Sequence, residues 1–241
     1  MMRITLHALL CLSRHWRGKL VAPEAKQLSR QLRAGDVAID VGAHCGSWMI
    51  PLSGRLGAGR VYAIEALPHY AAVLRRLATW LGCGNVTVLT GAATDRKMQL
   101  PLVWKTAAGR RLTGLTHAAG VAESTDGALM VPGLPLDKWI PEADWARVKL
   151  IKCDIEGAEL AAFRGAEGIL TQARPVVFCE INEGFCRRYG HRAADVFAFF
   201  EERGYQAFTG REGCWEQMCS EQYPGKGDVL FVPPGHDLVR A

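Results

Sequence analysis

Two carboxylates, Asp154 and Glu156, stand in the segment Lys152-Cys-Asp-Ile-Glu-Gly-Ala-Glu159, directly after an apolar run. Carboxylates this close can raise one another's pKa, bind a divalent cation together, or supply a general base. Gly157 permits a turn into a following helix, whose N-terminus suits Glu159. A second cluster is Asp40-Val-Gly-Ala-His-Cys-Gly46. Gly42 and Gly46 let the backbone turn sharply and approach a ligand closely, with Ala43 and His44 held between them. This is not the G-x-G-x-x-G fingerprint that seats a pyrophosphate on a helix N-terminus. Twenty-five residues beyond Asp40 comes Glu65. A carboxylate there can accept both hydrogen bonds of a ribose diol; a solvated loop residue is the alternative. In Gly91-Ala-Ala-Thr-Asp95, Ala92 and Ala93 leave space for a flat purine and Asp95 could accept from its exocyclic amine. Glu180, Asn182, Glu183 and His191 form a last candidate group. There, pairing with a nearby base or starting a surface helix are the plainer roles.

Each cluster follows a strand-like run, and such runs must position it. Val37–Val41, 61–64, 86–89, Val148–Cys153, 175–181, 205–209 and 229–232 are apolar or β-branched. Helical spacing lies between most of them: 46–56, 68–81 with Pro68 in its first turn, 157–170, and 193–203 ended by Gly204. Seven strands separated mostly by helices predict an α/β fold, a doubly wound and mostly parallel seven-stranded sheet. Ligands bind such sheets at the carboxyl ends of the strands, where these clusters fall. Residues 98–104 alternate like an added hairpin. From 105 to 135 the periodicity fades, so a lid-like insertion is expected, with Trp104, Arg110, Arg111 and Thr113 on an acceptor lid. Trp48, Trp139 and Trp145 could stack on a sugar face or fill the core.

The chain has 241 residues, 49% hydrophobic and 22% charged, which fits one globular domain and excludes disorder. Its 29 Lys+Arg against 24 Asp+Glu give +5, but the basic residues are scattered pairs, unlike a nucleic-acid surface. No apolar run reaches the ~20 residues of a membrane span. The apolar stretch 4–12 carries its heavier charge after it and lacks a cleavage site, so residues 1–35 read as a helical segment covering a domain at 36–241. That helix could also serve a membrane surface or a homo-oligomer contact. Eight cysteines without a C-x-x-C pair point to a reduced, cytoplasmic protein, with zinc at Cys214 and Cys219 as the alternative.

Ile39-Asp-Val-Gly-Ala-His-Cys-Gly46, Ala63-Ile-Glu-Ala66, Pro135-Leu-Asp-Lys138, Ile151-Lys-Cys-Asp-Ile-Glu-Gly-Ala-Glu159 and the stretch ending at Glu180 together resemble the FkbM family of S-adenosylmethionine-dependent methyltransferases. The resemblance covers roughly residues 36–210, and 151–159 is its most specific part. His44 departs from it, since such proteins often carry Asn there. It implies a Rossmann-like class I methyltransferase fold with S-adenosyl-L-methionine as cofactor. Asp40, Gly42 and Gly46, with Ala43 and His44 between, would shape the methionine end of the pocket. Glu65 would hold the ribose and Ala92–Ala93 would line the adenine. Asp154 and Glu156 would face the transferring methyl, hold any divalent cation, and act as the base. Asp137 matches a family position that a helix cap would explain equally well. The implied reaction is O-methylation of a small-molecule or glycan hydroxyl, on a sugar or secondary metabolite. Two other readings stand beside it. A nicotinamide-dependent oxidoreductase would need the absent third glycine and a Tyr/Lys or Cys/His set. A non-catalytic cofactor-binding module would keep the fold without turnover.

Overall fold

The structure is a computed structural model that describes residues 2–103, 128–211 and 214–236, with the backbone alone at His117–Ala118, Arg211 and Cys214. Four helices open the chain and the first domain half: α1 (Met2–Trp16), α2 (Pro23–Ser29), α3 (Met49–Leu56) and α4 (Pro68–Trp80). The strands are β1 (Val37–Val41), β2 (Arg60–Glu65), β3 (Val86–Thr90), β4 (Ala92–Ala93), β5 (Met98–Val103), β6 (His117–Ala118), β7 (Leu129–Leu134), β8 (Val148–Cys153), β9 (Val176–Asn182), β10 (Gln206–Arg211), β11 (Cys214–Met218) and β12 (Lys226–Val232).

The main sheet runs β11-β10-β12-β9-β8-β1-β2-β3. From β9 to β3 every pair is parallel, and β12 inserts antiparallel between β9 and β10. Parallel strands covered on both faces read as unbroken apolar runs, and all five residues of β1 are buried. Alternation then assigns the faces. Ala38, Val61, Ala63 and Leu150 pack with α1 to α4, while Val37, Ile39, Ile64 and Ile151 pack with the later helices. The mostly parallel α/β sheet is therefore present, with eight strands where seven were expected. The extra one, β11, is a polar edge strand in a hairpin with β10.

The segment 98–135 departs further from expectation. Residues 98–103 do form a strand, but its partner is Leu129–Leu134, inside the stretch expected to be loop. A second sheet results, in the order β4-β7-β5-β6. The lid residues Trp104, Arg110, Arg111 and Thr113 lie outside the described residues. The first helix forms as expected and packs on α4 through Ala8, Cys11 and Leu12, leaving Leu6, Leu10 and Trp16 exposed. No helix among the described residues is long and apolar enough to cross a membrane.

The helix expected over 157–170 is two, Glu159–Arg164 and Glu167–Ala173. Tertiary contacts cause the break. Asp137 accepts from the Gly168 and Ile169 amides at 2.7 and 3.1 Å, capping the second helix from a distant segment. Its own amide donates to the Gly165 carbonyl at 2.9 Å. A Cβ on Gly165 would sit 2.1 Å from the Thr94 carbonyl oxygen, so the helix pair and the small sheet meet only through glycine. Gly165→Ala should therefore cost about 1–3 kcal/mol of stability, read as a lowered urea midpoint with unchanged slope.

Candidate active site

The neighbours of β1 are β2 on one side and β8 on the other, so the chain crosses in opposite directions from this point and a crevice opens at the strand ends. Gly42, at φ +76°, begins the turn out of β1. An added Cβ there would lie 2.1 Å from the Asp154 carbonyl oxygen; only glycine lets the tails of β1 and β8 come this close. The Gly42 and Ala43 amides both donate to the Ile64 carbonyl, at 2.9 and 3.1 Å. The next amide, that of His44, donates to Glu65 Oε2 at 2.9 Å, and the Leu67 amide donates to Oε1 at 2.8 Å. Glu65 is thus fixed between the two turns at 7% exposure. Burial pushes its carboxyl above the usual range, opposed by those two amides and by Lys152.

Lys152 lies beside Asp40 in the β1–β8 register. The residue is 4% exposed, and its ammonium donates to the Gly42 and Val41 carbonyls at 2.8 and 3.1 Å. It stands 3.5 Å from Asp40 Oδ1 and 3.8 Å from Asp154 Oδ2. Burial alone would lower its pKa, but the carboxylates of Asp40 and Asp154 outweigh it and hold Lys152 above the usual lysine value. Asp40 is pushed up by its burial, with Lys152 pulling the other way.

A second turn faces the first. Asp154 follows directly on β8, and Glu156 takes a left-handed backbone at φ +58°, as His44 does at φ +45° across the crevice. Such backbone is costly for residues with a side chain and persists only where neighbours hold it. The holder here is Glu159, whose Oε1 accepts from the Ile155 and Gly157 amides at 3.0 Å each. That is the helix-start role its position indicates. Its 1% exposure pushes its pKa up to about 7. His44 is exposed at the open crevice, yet desolvation by the groups packed around its ring, with the nearby His7 and Lys152, pushes it the other way, to about 4, so its imidazole is neutral at pH 7. Its ring lies 4.2 Å from that of Tyr70.

Between the turns lies a cavity of about 300 Å³, within the range of small-ligand pockets. It is lined by Gly42, His44 and Glu65, by Ala92, Ala93 and Leu100, and by Lys152, Asp154 and Glu156. Six of the nine residues expected around a cofactor therefore converge: Gly42, His44, Glu65, Ala92, Ala93 and Asp154. Asp40, Ala43 and Gly46 stand behind the wall and support it. Asp95 does not reach the cavity; it is exposed beside Arg96, 3.2 Å away. Nor do Glu180, Asn182, Glu183 or His191 line it. Asn182 caps the helix Glu183–Arg188, and Glu183 pairs with Arg187 at 2.8 Å. Of the described tryptophans only Trp48 borders the cavity, its ring 4.7 Å from Phe178. Trp139 and Trp145 instead donate to the Ala92 and Ile140 carbonyls at 3.0 Å, bracing the frame. Among the described residues, Asp154 and Glu156 gather no third His, Cys, Asp or Glu that would complete a metal site.

Lys152 is the site residue that sequence reasoning left without a role. The signal was present: a lysine inside a strand buried on both faces needs a carboxylate, and Asp40 holds the matching place before the end of β1.

The profile of the methyltransferase FkbM domain matches residues 40–207. No curated protein matches the chain. A solved FkbM methyltransferase from Methylobacillus flagellatus is 19% identical with a TM-score of 0.55, covering 94% of this chain. This chain spans about half of that protein, 53% of its length. A putative methyltransferase from Streptococcus mutans, solved in complex with SAH, is 12% identical over 86% of this chain and 94% of that one, with a TM-score of 0.51. A putative rRNA-methylase from Clostridium thermocellum is 11% identical over 88% and 95%, with a TM-score of 0.52. At these identities the solved structures establish the shared fold.

Two outcomes test this electrostatic frame. Lys152→Met leaves Asp40 buried without its cation and should cost about 3–5 kcal/mol in urea unfolding, with Asp40→Asn in the same chain restoring part of the loss. Glu159 carries a pH signature. Its pKa rises from the ordinary 4.5 to about 7 on folding, so its stabilising contribution is complete below pH 4.5 and disappears as pH rises through 7. Relative to wild type, Glu159→Gln should gain up to about 3 kcal/mol between about pH 5 and pH 8, measured as the change in the unfolding free-energy gap.

Proposed function

From the premise that this chain belongs to the FkbM methyltransferase family, we propose that it is an S-adenosylmethionine-dependent O-methyltransferase acting on a hydroxyl of a sugar or secondary metabolite. The observation that carries the cofactor reading is Glu65, a carboxylate held at the cavity wall by two backbone amides. A carboxylate offers about four acceptor positions, so the two it has left suit a ribose diol. Ala92 and Ala93 keep the adjoining wall thin enough for a purine. The neutral His44 places no positive charge against a sulfonium. The S. mutans neighbour of the same fold was solved with SAH, which supports an adenosyl ligand in this crevice as well.

When bound, the sulfonium supplies a methyl carbon open to in-line attack. The work of the chain is then alignment and proton removal. Asp154 and Glu156, which line the cavity, are the carboxylates to take the hydroxyl proton as oxygen attacks. Lys152, 3.8 Å from Asp154, orients that carboxylate from behind. All seven cysteines with described side chains are free thiols, which supports the cytoplasmic reading.

Calorimetric titration with S-adenosylmethionine and S-adenosylhomocysteine, with NADH and NADPH as controls, tests the cofactor. Micromolar adenosyl binding is expected, weakened about tenfold or more by Glu65→Gln, since hydrogen bonds to a charged group contribute ~1.5–3 kcal/mol. Binding of a nicotinamide cofactor alone would overturn the reading. In a hydroxyl-acceptor screen with and without Mg²⁺, Asp154→Asn or Glu156→Gln should lower kcat by about 10²–10⁴ while cofactor affinity stays within a few-fold. Equal loss of affinity and turnover would refute the base assignment. Cofactor binding with no methylated product from a broad panel would favour a non-catalytic module.

A further inference from the structure

A second cluster joins α1 to the glycine turn after β1. His7 and Cys11 are four residues apart on α1 and share one face of the helix. Cys45, inside the glycine turn, comes up against them. The His7 imidazole and the two thiols place their donor atoms within 4.8 Å of one another, and no other such group of His, Cys, Asp or Glu occurs among the described residues. Cys45 Sγ lies 3.8 Å from His7 Nε2. A tetrahedral zinc with Zn–S of about 2.3 Å and Zn–N of about 2.0 Å separates such a pair by about 3.5 Å, so this pair needs only a few tenths of an ångström of closure.

A second feature fits a metal ligand. His7 Nδ1 is 3.0 Å from His69 Nε2 on α4. Metal-bound histidines regularly engage their other ring nitrogen in this way, which fixes the ring and turns the free lone pair toward the ion. With Nδ1–H donating to His69, the lone pair would lie on Nε2, the nitrogen facing Cys45. Both thiols are buried, at 2% and 6% exposure, while His7 is only half-buried and leaves an approach for the ion.

We propose that His7, Cys11 and Cys45 form a zinc site that clamps α1 to the turn after β1, with His69 as the positioning residue. Two thiolates and one imidazole are a soft donor set that favours Zn²⁺ or Cu⁺ over Mg²⁺ or Ca²⁺. A protein-supplied Cys₂His set leaves the fourth tetrahedral position to a water. Each Zn²⁺ bound releases the two thiol protons to solvent. The donor set shares no residue with the carboxylates proposed for methyl transfer, so it can hold even if the proposed reaction does not.

Cobalt is the probe. The reduced 241-residue chain, carrying Cys219→Ser to remove an exposed thiol, is freed of metal and titrated with Co²⁺ and then Zn²⁺. One equivalent of Co²⁺ should bring up thiolate-to-cobalt charge-transfer absorption, which one equivalent of Zn²⁺ abolishes. Cys11→Ser and Cys45→Ser should each abolish that absorption, His7→Gln should weaken binding more than His69→Ala, and His69→Ala should weaken it about tenfold. Zinc should also raise the Tm of wild type and leave the serine variants unmoved. If a serine variant does not fold, zinc-edge absorption of the wild type decides: two sulfurs and at least one imidazole are expected, and a shell without sulfur overturns the proposal. So would charge-transfer absorption that survives both serine substitutions. A Cys11–Cys45 disulfide that forms equally fast with and without zinc would also overturn it.

Discussion

The arrangement depends on one buried cation. Lys152, 4% exposed, carries its ammonium between Asp40 and Asp154, beneath the carbonyls of Val41 and Gly42. Withdrawing a charge from water costs several kcal/mol, recovered only where partners surround it closely. Here the partners are the ends of the two central strands, so satisfying Lys152 requires β1 and β8 to finish side by side. That in turn brings the Gly42 backbone against the Asp154 carbonyl, where no Cβ fits. The crevice, the glycine and the position of Asp154 all follow from one desolvated ammonium. Such a frame needs little reorganisation when charge moves inside it.

The sign of the charge bears on what the crevice can accept. Among the described residues, Asp40, Glu65, Asp154 and Glu156 stand in or beside the cavity wall against one ammonium, that of Lys152, and His44 adds no charge at neutral pH. A pyrophosphate would meet the carboxylates of Glu65, Asp154 and Glu156. The first turn also spends its amides on the protein itself: those of Gly42 and Ala43 go to Ile64, and that of His44 goes to Glu65. A dinucleotide fold directs such amides, with the helix behind them, at phosphate oxygens. Here α3 does not begin until Met49. These are physical grounds, beyond the missing third glycine, for preferring a cationic adenosyl ligand to a nicotinamide dinucleotide.

What the sequence made legible follows from burial. Strands covered on both faces write themselves as apolar runs, so β1, β2, β8 and β9, and with them Glu65 and Asp154 at their ends, could be placed from residue types alone. Strands that depend on a partner could not. Pro132 and Gly133 disguise β7, and the polar run Cys-Trp-Glu-Gln-Met has no pattern until β10 pairs with it. The single helix read over 157–170 failed for a similar reason, since Thr94 and Asp137, far away in sequence, divide it. Asp95 was misplaced because β4 turns from the main sheet to join β7, and the chain leaves the cavity with it. The left-handed backbone of His44 and Glu156 has no sequence signature at all in residues with side chains.

Those two residues show that the crevice is made of one device used twice. In each turn a strand end leads into a left-handed residue, and a buried glutamate accepts two amides to hold it: Glu65 from His44 and Leu67, Glu159 from Ile155 and Gly157. Burial raises the pKa of both carboxyls. The difference is exposure to the cavity. Glu159 is 1% exposed and lies off the wall, so its function ends with holding the turn. Glu65 is part of the wall, where the same carboxylate can hold its turn and still accept from a ligand. An adenosyl ligand engaging Glu65 would then bear directly on the turn that carries His44. Recognition and the shape of the pocket are thus joined through one carboxylate, whereas across the crevice the corresponding turn is held whether or not a ligand is present.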